Sequence, residues 1–379
     1  MMNRLLTFTI SIWWAFACEK SIKAPPGFGL NTYDLWISAE DLSELYSSTF
    51  EDTPVPVEVH YNGEYKLGSI FHTGNSTVLH PKRSYELHLK GDFLIQGHGK
   101  VRLSAQAFDT SALRSLLGYQ VFKSLGILTP GIEPVALYLN GHYQGLYFQV
   151  DKITGSFLED HGQKAASLYK ARFGRLGFAG FEGSSYNDLE VGYKIEIGNK
   201  EFADLKHLIT LVHEPDSTAN AKDLEAALDI DNYLRYLAGA VVLNHWDGFY
   251  NNYYLYQEEA SRRFRFVAWD VDQIYKPDTM QFTAGKTVYG RNALSEKIFR
   301  NPAQRKQYLD IMHELLTVSF PAGAMSTFLE EQKSLIREAY DSDPFLAGKS
   351  LDHEVEELQL IFGDWLNKIL ADLKVEQDR

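Results

Sequence analysis

One stretch near the middle of the chain constrains the fold more than any other, because carboxylates and amides interrupt a run of aromatic residues there. From Leu243 to Tyr256 it runs Leu-Asn-His-Trp-Asp-Gly-Phe-Tyr-Asn-Asn-Tyr-Tyr-Leu-Tyr, and from Phe264 to Asp272 it closes with Phe-Arg-Phe-Val-Ala-Trp-Asp-Val-Asp. Two runs rich in aromatic and β-branched residues, joined by the polar segment Glu258–Ser261, predict a β-hairpin.

A helix is predicted immediately before this hairpin. Apolar residues recur at helical spacing from Tyr233 to Val241, and Asp231 is a favourable residue for the N-cap. The pattern predicts that the helix ends near His245.

Four polar side chains fall at the ends of these predicted elements. Asp247 and Asn252 lie on the loop between helix and strand, and Asp270 and Asp272 lie where the second strand ends. A single loop Asp is usually a turn former. Three carboxylates and an amide on adjacent elements, however, are hard oxygen ligands of the kind that bind Mg²⁺ together with substrate phosphates.

The order of these residues matches that of protein kinases. In kinases a catalytic-loop Asp takes the proton of the substrate hydroxyl, an Asn five positions later binds metal, and an Asp after the next hairpin binds metal as well. Asp247 and Asn252 have this offset, His245 stands where the kinase loop carries its own His, and Asp270 follows one hairpin later. The match is one of order and spacing, not of full sequence.

The same residues resemble a known family. His-Trp-Asp-Gly-Phe from His245, Asn-Asn-Tyr-Tyr-Leu-Tyr from Asn251 and Phe-Val-Ala-Trp-Asp-Val-Asp-Gln from Phe266 resemble the spore coat protein H (CotH) kinase family, an atypical branch of the protein-kinase-like fold. The resemblance runs from about Val57 to the C-terminal helices, and the segment from Asp109 to Lys170 is its second specific portion.

This resemblance implies roles for the central residues. Asp247 is the expected catalytic Asp and Asp270 a metal ligand, while Asn252 is the second ligand by the kinase spacing and Asp272 an additional one. The expected cofactors are ATP and Mg²⁺, with Mn²⁺ as an alternative metal.

A strand is predicted at Ser167–Arg172, and Lys170 on it precedes the other residues in the kinase order Lys, Asp, Asn, Asp. Lys170 is therefore the expected counterpart of the kinase strand Lys that binds the α and β phosphates, and Arg172, on the same strand face, can assist it. The acidic partner of Lys170 is left open between Glu190 and Glu196.

A second predicted hairpin carries glycines near its Asn140-Gly141 turn. Asn-Gly hairpins are common without any ligand, but the family resemblance favours a role for Gly141 and Gly145 in covering the phosphates of ATP. Trp246 and Trp269 flank the acidic residues, and each either stacks on the nucleotide base or packs in the core.

Two further segments before Lys170 carry candidate residues. Asn62-Gly63 predicts a tight hairpin, and the basic residues Lys82, Arg83 and Lys90 near the following strands either contact phosphate or form a solvated strand edge.

A helix predicted to begin at Ser111 and to stop at Gly126 carries Arg114. Arg114 either pairs with a buried carboxylate or lies on the surface.

The N-terminus has the pattern of a secretory signal. Met1–Ala17 is apolar and too short to span a membrane, and Cys18 is the only cysteine of the chain. A Cys in this place indicates a bacterial lipoprotein, in which the acylated Cys becomes the mature N-terminus. Ala15-Phe16-Ala17 matches the usual acylation motif poorly, so plain secretion stays open. The only expected contact with a membrane is through this anchor, and the expected location is the periplasm or the cell surface.

Charge and composition exclude several classes. The chain has 379 residues, 45% of them hydrophobic, and a formal net charge of -13. This composition favours a large folded core over a disordered or fibrous chain, and the acidic balance argues against a general nucleic-acid binder. An acidic surface suits a basic peptide substrate.

We therefore expect an α+β fold of the atypical protein-kinase-like, two-lobed kind. The predicted divisions are a signal peptide or lipidated Cys (1–18), a linker (19–30), an antiparallel-sheet-rich N-terminal lobe (31–200) and a largely helical C-terminal lobe (201–379). The expected function is transfer of the γ-phosphate of Mg-ATP to a Ser or Thr hydroxyl of a protein. The alternatives are an inactive kinase-like surface binding module or adhesin, and a metal-dependent hydrolase.

Overall fold

The structure, a computed structural model, describes residues 26–47, 53–74, 77, 79–91, 94–172, 181, 186–198, 201–275, 288–289 and 292–377. It combines two β-sheets with a large set of helices, so the predicted α+β class is confirmed. The predicted signal and Cys18, and most of the predicted linker, lie outside the described residues. No helix within the described ranges is both long and apolar enough to cross a membrane.

The first sheet closes on itself as a barrel. Its strands are β1 (Asn31–Trp36), β2 (Val55–Tyr61), β3 (Glu64–Thr73), β4 (Ser84–Leu89), β5 (Lys100–Ser104), β6 (Ile132–Leu139) and β7 (His142–Val150). Their order around the barrel is β1-β2-β3-β4-β5-β7-β6. Side chains alternate between the two faces of each strand, so Val55, Val57 and Val59 of β2 point into an apolar interior while the residues between them are exposed.

Local turn chemistry sets two of the barrel hairpins. Asn62 and Gly63 have φ values of 48° and 88°, and Asn140 and Gly141 have values of 51° and 77°. Two consecutive left-handed residues make the tight turn whose twist matches that of antiparallel strands, and Asn-Gly is its preferred sequence. Both predicted hairpins are confirmed as β2–β3 and β6–β7.

Strand β1 closes the barrel. It pairs antiparallel with β2 and parallel with β6, with Tyr33 opposite Tyr61 on one side and opposite Leu137 on the other. The hydrophobic pattern did not predict this strand, because its partners lie far along the chain.

The second sheet has the strand order β11-β10-β8-β9. Its strands are β8 (Ala165–Ala171), β9 (Tyr193–Ile197), β10 (Tyr253–Glu258) and β11 (Phe264–Ala268). The predicted strand containing Lys170 and the predicted central hairpin therefore belong to one hydrogen-bonded sheet. The boundary expected at residue 200 passes through this sheet.

Helices pack around the second sheet and against one side of the barrel. They are α1 (Ala39–Ser47), α2 (Arg114–Ser124), α3 (Gly155–Asp160), α4 (Tyr186–Gly192), α5 (Ala203–His213), α6 (Thr218–Ala227), α7 (Ile230–Val242), α8 (Ala293–Ile298), α9 (Pro302–Glu314), α10 (Ala322–Asp341) and α11 (Leu351–Gln377). A π-helical segment, Leu315–Ser319, continues α9. Seven of these helices, α5 to α11, lie after residue 200, in the part of the chain predicted to be largely helical.

Helix α7 is the central helix of this part. Nearly all of its residues from Asn232 onward are buried, and the indole Nε1 of Trp365 in α11 donates to the Val241 carbonyl at 3.0 Å. The predicted N-cap was wrong by two residues, because the side chain of Asp229 accepts from the Asn232 amide at 3.0 Å. Asp231 instead lies in the first turn and pairs with Arg235.

A buried ion pair joins the barrel to the helices. Lys82, just before β4, contacts Asp343, just after α10, with Nζ and Oδ2 at 2.7 Å and both side chains almost fully buried. Asp343 also accepts from the Leu146 amide of β7 at 2.9 Å. Lys82 is thus neither a phosphate contact nor a solvated edge residue, which corrects both expectations for it.

Candidate functional site

The loop after α7 is folded tightly around Asp247. Asn244 adopts the left-handed conformation with φ of 47°, which ends the helix. A 3₁₀ turn at Trp246–Phe249 follows, and the carbonyl of Asp247 accepts from the amides of Tyr250, Asn251 and Asn252 at 2.8–3.0 Å. One carbonyl accepts all three of the bonds that close the turn. The distance in space between Asp247 and Asn252, which are five positions apart in the sequence, is therefore fixed.

Asn252 joins this loop to the end of β11. Its Nδ2 donates to the carbonyl of Asp270 at 2.9 Å, and its Oδ1 accepts from Asn251 Nδ2 at 2.8 Å. Asp270 has φ of 54°, a conformation that costs a non-glycine residue energy, and its amide donates to Tyr119 Oη on α2 at 3.2 Å. The strained residue is therefore held in place from two sides.

The carboxylates lie close enough to influence one another. Burial raises the pKa of Asp272, and the negative charges of Asp270, Asp109 and Asp247 raise it further, while Arg102 opposes them. Asp247 and Asp270, which the sequence grouped with Asp272, are thus near enough for their charges to act on it. The repulsion among them favours a bound cation.

His245 is buried beneath the loop. Desolvation lowers the pKa of His245 to about 4, although the nearby charge of Asp270 acts in the opposite direction. The imidazole is therefore neutral at physiological pH. It lies directly against Gly248, where a Cβ atom would stand 2.2 Å from His245 Cδ2.

Lys170 projects from β8 beside the same site. It is opposite Tyr254 of β10 in the sheet register. Its Nζ lies 5.9 Å from the centroid of the Tyr254 ring and 5.2 Å from that of Trp269, the residue before Asp270. The structure therefore brings Lys170 to the residues that flank the carboxylates.

Comparisons with known proteins give the family. The family model described as CotH kinase protein matches residues 70–365, most of the chain. The chain belongs to the CotH kinase protein family. Inner spore coat protein H of Bacillus subtilis (strain 168) is 26% identical over 325 residues, which cover 83% of this chain and 89% of that protein. An inner spore coat protein H-like protein of the same organism is 24% identical over 286 residues, which cover 74% of this chain and 81% of that protein.

A solved structure also aligns with most of this CotH family chain. It is the complex of the toxin–antitoxin system proteins HipA and HipB with operator DNA from Shewanella oneidensis MR-1, with a TM-score of 0.38 and 12% identity. The alignment covers 91% of this chain and 74% of the chain in that structure.

The donor set of this CotH family site fits magnesium better than a closed metal cage. Within the part of the chain that the structure describes, no group of three or more His, Cys, Asp and Glu side chains is arranged to hold a metal ion. Mg²⁺, however, commonly binds through one or two carboxylates and takes its remaining ligands from water and substrate phosphates. Asp270, Asp272 and Asn252 carry oxygen donors of the type that Mg²⁺ takes, and the Asn252 oxygen also accepts from Asn251 Nδ2 at 2.8 Å.

Other predicted site residues lie elsewhere or have other partners. The Arg172 guanidinium donates to the carbonyls of Glu190 and Val191 at 2.7 and 3.0 Å, in the last turn of α4. Trp246 is partly buried, its ring centroid lies 5.3 Å from that of Tyr250, and it packs on the core of the helical part. This arrangement agrees with the packing alternative for Trp246.

The two hairpin glycines lie against other parts of the chain. A Cβ atom on Gly141 would stand 3.8 Å from the ring of Trp36, and Val150, at the other end of β7, is the residue that pairs with Arg102. Gly145 packs on Asp343, where a Cβ atom would stand 2.4 Å from a carboxylate oxygen. Its missing side chain makes room for the buried ion pair.

Asp109, which no sequence pattern singled out, positions a helix next to the CotH family site. Asp109 is buried and accepts from the amide of Arg114 at 2.8 Å and from its guanidinium at 2.7 Å. It takes the helix-start role expected of Ser111. Arg114 Nε also donates to the Ile274 carbonyl at 3.0 Å, which positions the segment after Asp272. Of the two alternatives for Arg114, the structure shows the pairing with a buried carboxylate and not the surface position.

Proposed function

We propose that this CotH family protein transfers the γ-phosphoryl group of Mg-ATP to a Ser or Thr hydroxyl of a protein. One observation carries the proposal. Asn252, which follows Asp247 at the kinase spacing, donates from Nδ2 to the backbone carbonyl of Asp270 at 2.9 Å. A hydrogen bond between the two segments is expected if they act as one site.

Asp247 is the proposed general base. It accepts the proton of the acceptor hydroxyl as the oxygen forms a bond to the γ-phosphorus, and the bond from that phosphorus to the β–γ bridging oxygen breaks with its electron pair leaving on ADP. His245, buried beneath the turn, is neutral and adds no positive charge to this loop.

Asn252 and Asp270, with help from Asp272, are the residues that would bind Mg²⁺. The bound ion neutralises charge on the β and γ phosphates. The negative charges of Asp270 and Asp272 repel one another without it, and this supports a cation site here. Lys170 would orient the α and β phosphates from β8.

We also propose export, with Met1–Ala17 as the signal and Cys18 as the lipid-bearing residue. The proposal rests on the apolar N-terminal stretch and on the single cysteine that follows it. The test is metabolic labelling with palmitate, in which the label should be present on the full chain and absent from Cys18→Ser. If the wild-type protein is secreted without the label, export is supported and the lipid anchor at Cys18 is contradicted.

The function is tested by incubating the full chain, in mild detergent, with γ-labelled ATP and Mg²⁺ or Mn²⁺. Reactions are run alone and with a basic, Ser-rich peptide mixture, chosen because the protein carries a net charge of -13. Asp247→Asn and Asp270→Asn should abolish labelling. Asp223→Asn, an exposed carboxylate on α6, is the matched control and should label normally.

The outcomes separate the proposed function from its alternatives. Labelled peptide that disappears in both site variants supports a kinase. Free phosphate released without any acceptor, and dependent on Asp270, would favour the hydrolase. Neither product, together with no ATP-induced change in melting temperature, would contradict the kinase and favour a binding module.

A further inference from the structure

The barrel places one of its own side chains at the candidate site. Val101 and Leu103 of β5 are buried in the barrel interior, so Arg102 between them points outward. Its Cζ lies 5.1 Å from the centroid of the Trp269 ring. Its charge also acts on Asp272 and Tyr119.

Two cations share this indole, because Lys170 Nζ lies 5.2 Å from the same Trp269 centroid. An aromatic face attracts a cation without using its N–H donors. The donors of a guanidinium held in this way stay available to a ligand. Two positive charges at one ring repel each other, and an anion between or beside them removes that repulsion.

The barrel carboxylate that is opposite Arg102 in the sheet register is already engaged. Glu86 of β4 is opposite Arg102 in the sheet register. Its Oε1, however, accepts from Lys152 Nζ at 2.6 Å and lies 2.6 Å from His88 Nε2. The Nε of Arg102 is buried and has no hydrogen-bond partner among the described residues. A buried charged donor in this state favours binding of an anion.

We propose that Arg102 and Lys170 form a two-cation site for the phosphate chain of a nucleoside triphosphate, with Arg102 contributed by the barrel. This inference rests on the proposed function and extends it to a residue outside the kinase order. The planar guanidinium can donate two parallel hydrogen bonds to phosphate oxygens, whereas Lys170 acts as a point charge. The neighbouring carboxylates then bind the metal that accompanies the phosphates.

The test is calorimetric binding of Mg-ATP, Mg-ADP and adenosine to the full chain and to three variants. Arg102→Met should weaken binding of Mg-ATP by about 10- to 100-fold, since charge-assisted hydrogen bonds to the phosphates are lost. Arg102→Lys should fall between this variant and the wild type. Binding of adenosine should not change. Lys100→Met is the matched control, because Lys100 lies on the same strand and face but is exposed.

Each outcome decides between the two proposals. If the wild type binds Mg-ATP and Arg102→Met binds it within twofold, the two-cation site is wrong and the proposed function stands. If binding depends on Arg102 but no phosphoryl transfer occurs, the site is supported and the kinase is contradicted. If the wild type binds no nucleotide, both are wrong. Unchanged melting of ligand-free Arg102→Met would show that the variant is folded.

Discussion

The turn that carries Asp247 has room for only one kind of residue at its centre. Gly248 faces the ring of His245, and a Cβ atom there would lie 2.2 Å from Cδ2 and 2.8 Å from Nε2. The ring is buried and cannot move away into solvent. The position of this loop therefore depends on a glycine for reasons of space, because the φ of Gly248 is not in the left-handed region.

Gly248→Ala should destabilise the protein by about 1–3 kcal/mol, the usual cost of overpacking a buried site. It should also reduce phosphoryl transfer at least tenfold, since the turn that holds Asp247 must shift. Chemical denaturation and the labelling assay measure the two effects. Gly323→Ala, at an open helical position, is the control and should be neutral or slightly stabilising. Normal stability and activity of Gly248→Ala would contradict this packing.

A second buried histidine predicts a pH dependence of stability. Desolvation lowers the pKa of His72 to about 4, and the charge of Arg83 lowers it further, while Tyr46 and Tyr85 pack around the ring. The unfolded chain, with a pKa near 6.5, binds a proton that the folded state excludes. Stability therefore falls as the pH drops from about 6.5 towards 4, with a slope of up to about 1.4 kcal/mol per pH unit for one proton.

His72→Phe should remove the contribution of His72 to the pH dependence of the free energy of unfolding between pH 6.5 and 5. His245, buried with a pKa of about 4, should keep its own contribution in the variant. The measurement is the free energy of unfolding in urea at several pH values. An identical pH profile in wild type and variant would show that His72 is accessible to protons in the folded state.

At the level of elements, the N-cap of α7 lies two residues before the one that the sequence predicted. Asp229 and Asp231 are equally good N-cap residues by type, and only the geometry separates them. Asp229 accepts from the Asn232 amide, and it also pairs with Arg265 of β11 at 3.2 Å. It therefore fixes the helix to the hairpin that carries Asp270.

Asp229→Ala should cost about 1 kcal/mol or somewhat more, the usual loss for an N-cap. Asp229→Asn keeps the capping oxygen and should lose less. Asp231→Ala removes an exposed i,i+4 pair with Arg235 and an exposed hydrogen bond from Gln307 Nε2 at 2.9 Å, and it should stay within about 0.5 kcal/mol of the wild type. Thermal denaturation of the three variants checks the order, and an equal loss at both positions would argue against Asp229 as the cap.

Elements fixed by local chemistry could be predicted, and those fixed by distant partners could not. The Asn62-Gly63 and Asn140-Gly141 turns specify their hairpins by themselves. The spacing of Asp247 and Asn252 is likewise a local feature that can be read from the sequence. By contrast, β1 is defined by its parallel partner β6, about a hundred residues away. Arg102 reaches the site only because the barrel folds against Trp269, and no local pattern contains that contact.

At the scale of the whole molecule, the Lys82–Asp343 pair fastens the barrel to the helices. Lys82→Met should destabilise the protein by about 3–5 kcal/mol, since it leaves Asp343 buried without its cation. Lys82→Met combined with Asp343→Asn should recover much of this, because the amide oxygen can still accept from the Leu146 amide. Urea unfolding of the single and double variants measures the difference. No recovery in the double variant would show that packing, not charge, dominates.

The second sheet has a further consequence for the whole molecule. Lys170 and the hairpin ending at Asp270 are joined by a continuous ladder of backbone hydrogen bonds, with Lys170 directly opposite Tyr254. Strands paired in this way open together as one cooperative unit, which amide hydrogen exchange detects as a shared opening free energy. The Lys170 ammonium group and the Asp270 carboxylate then reach or leave their native positions in a single step. Any partly unfolded form that keeps β8 and β10 paired keeps both groups at their native separation.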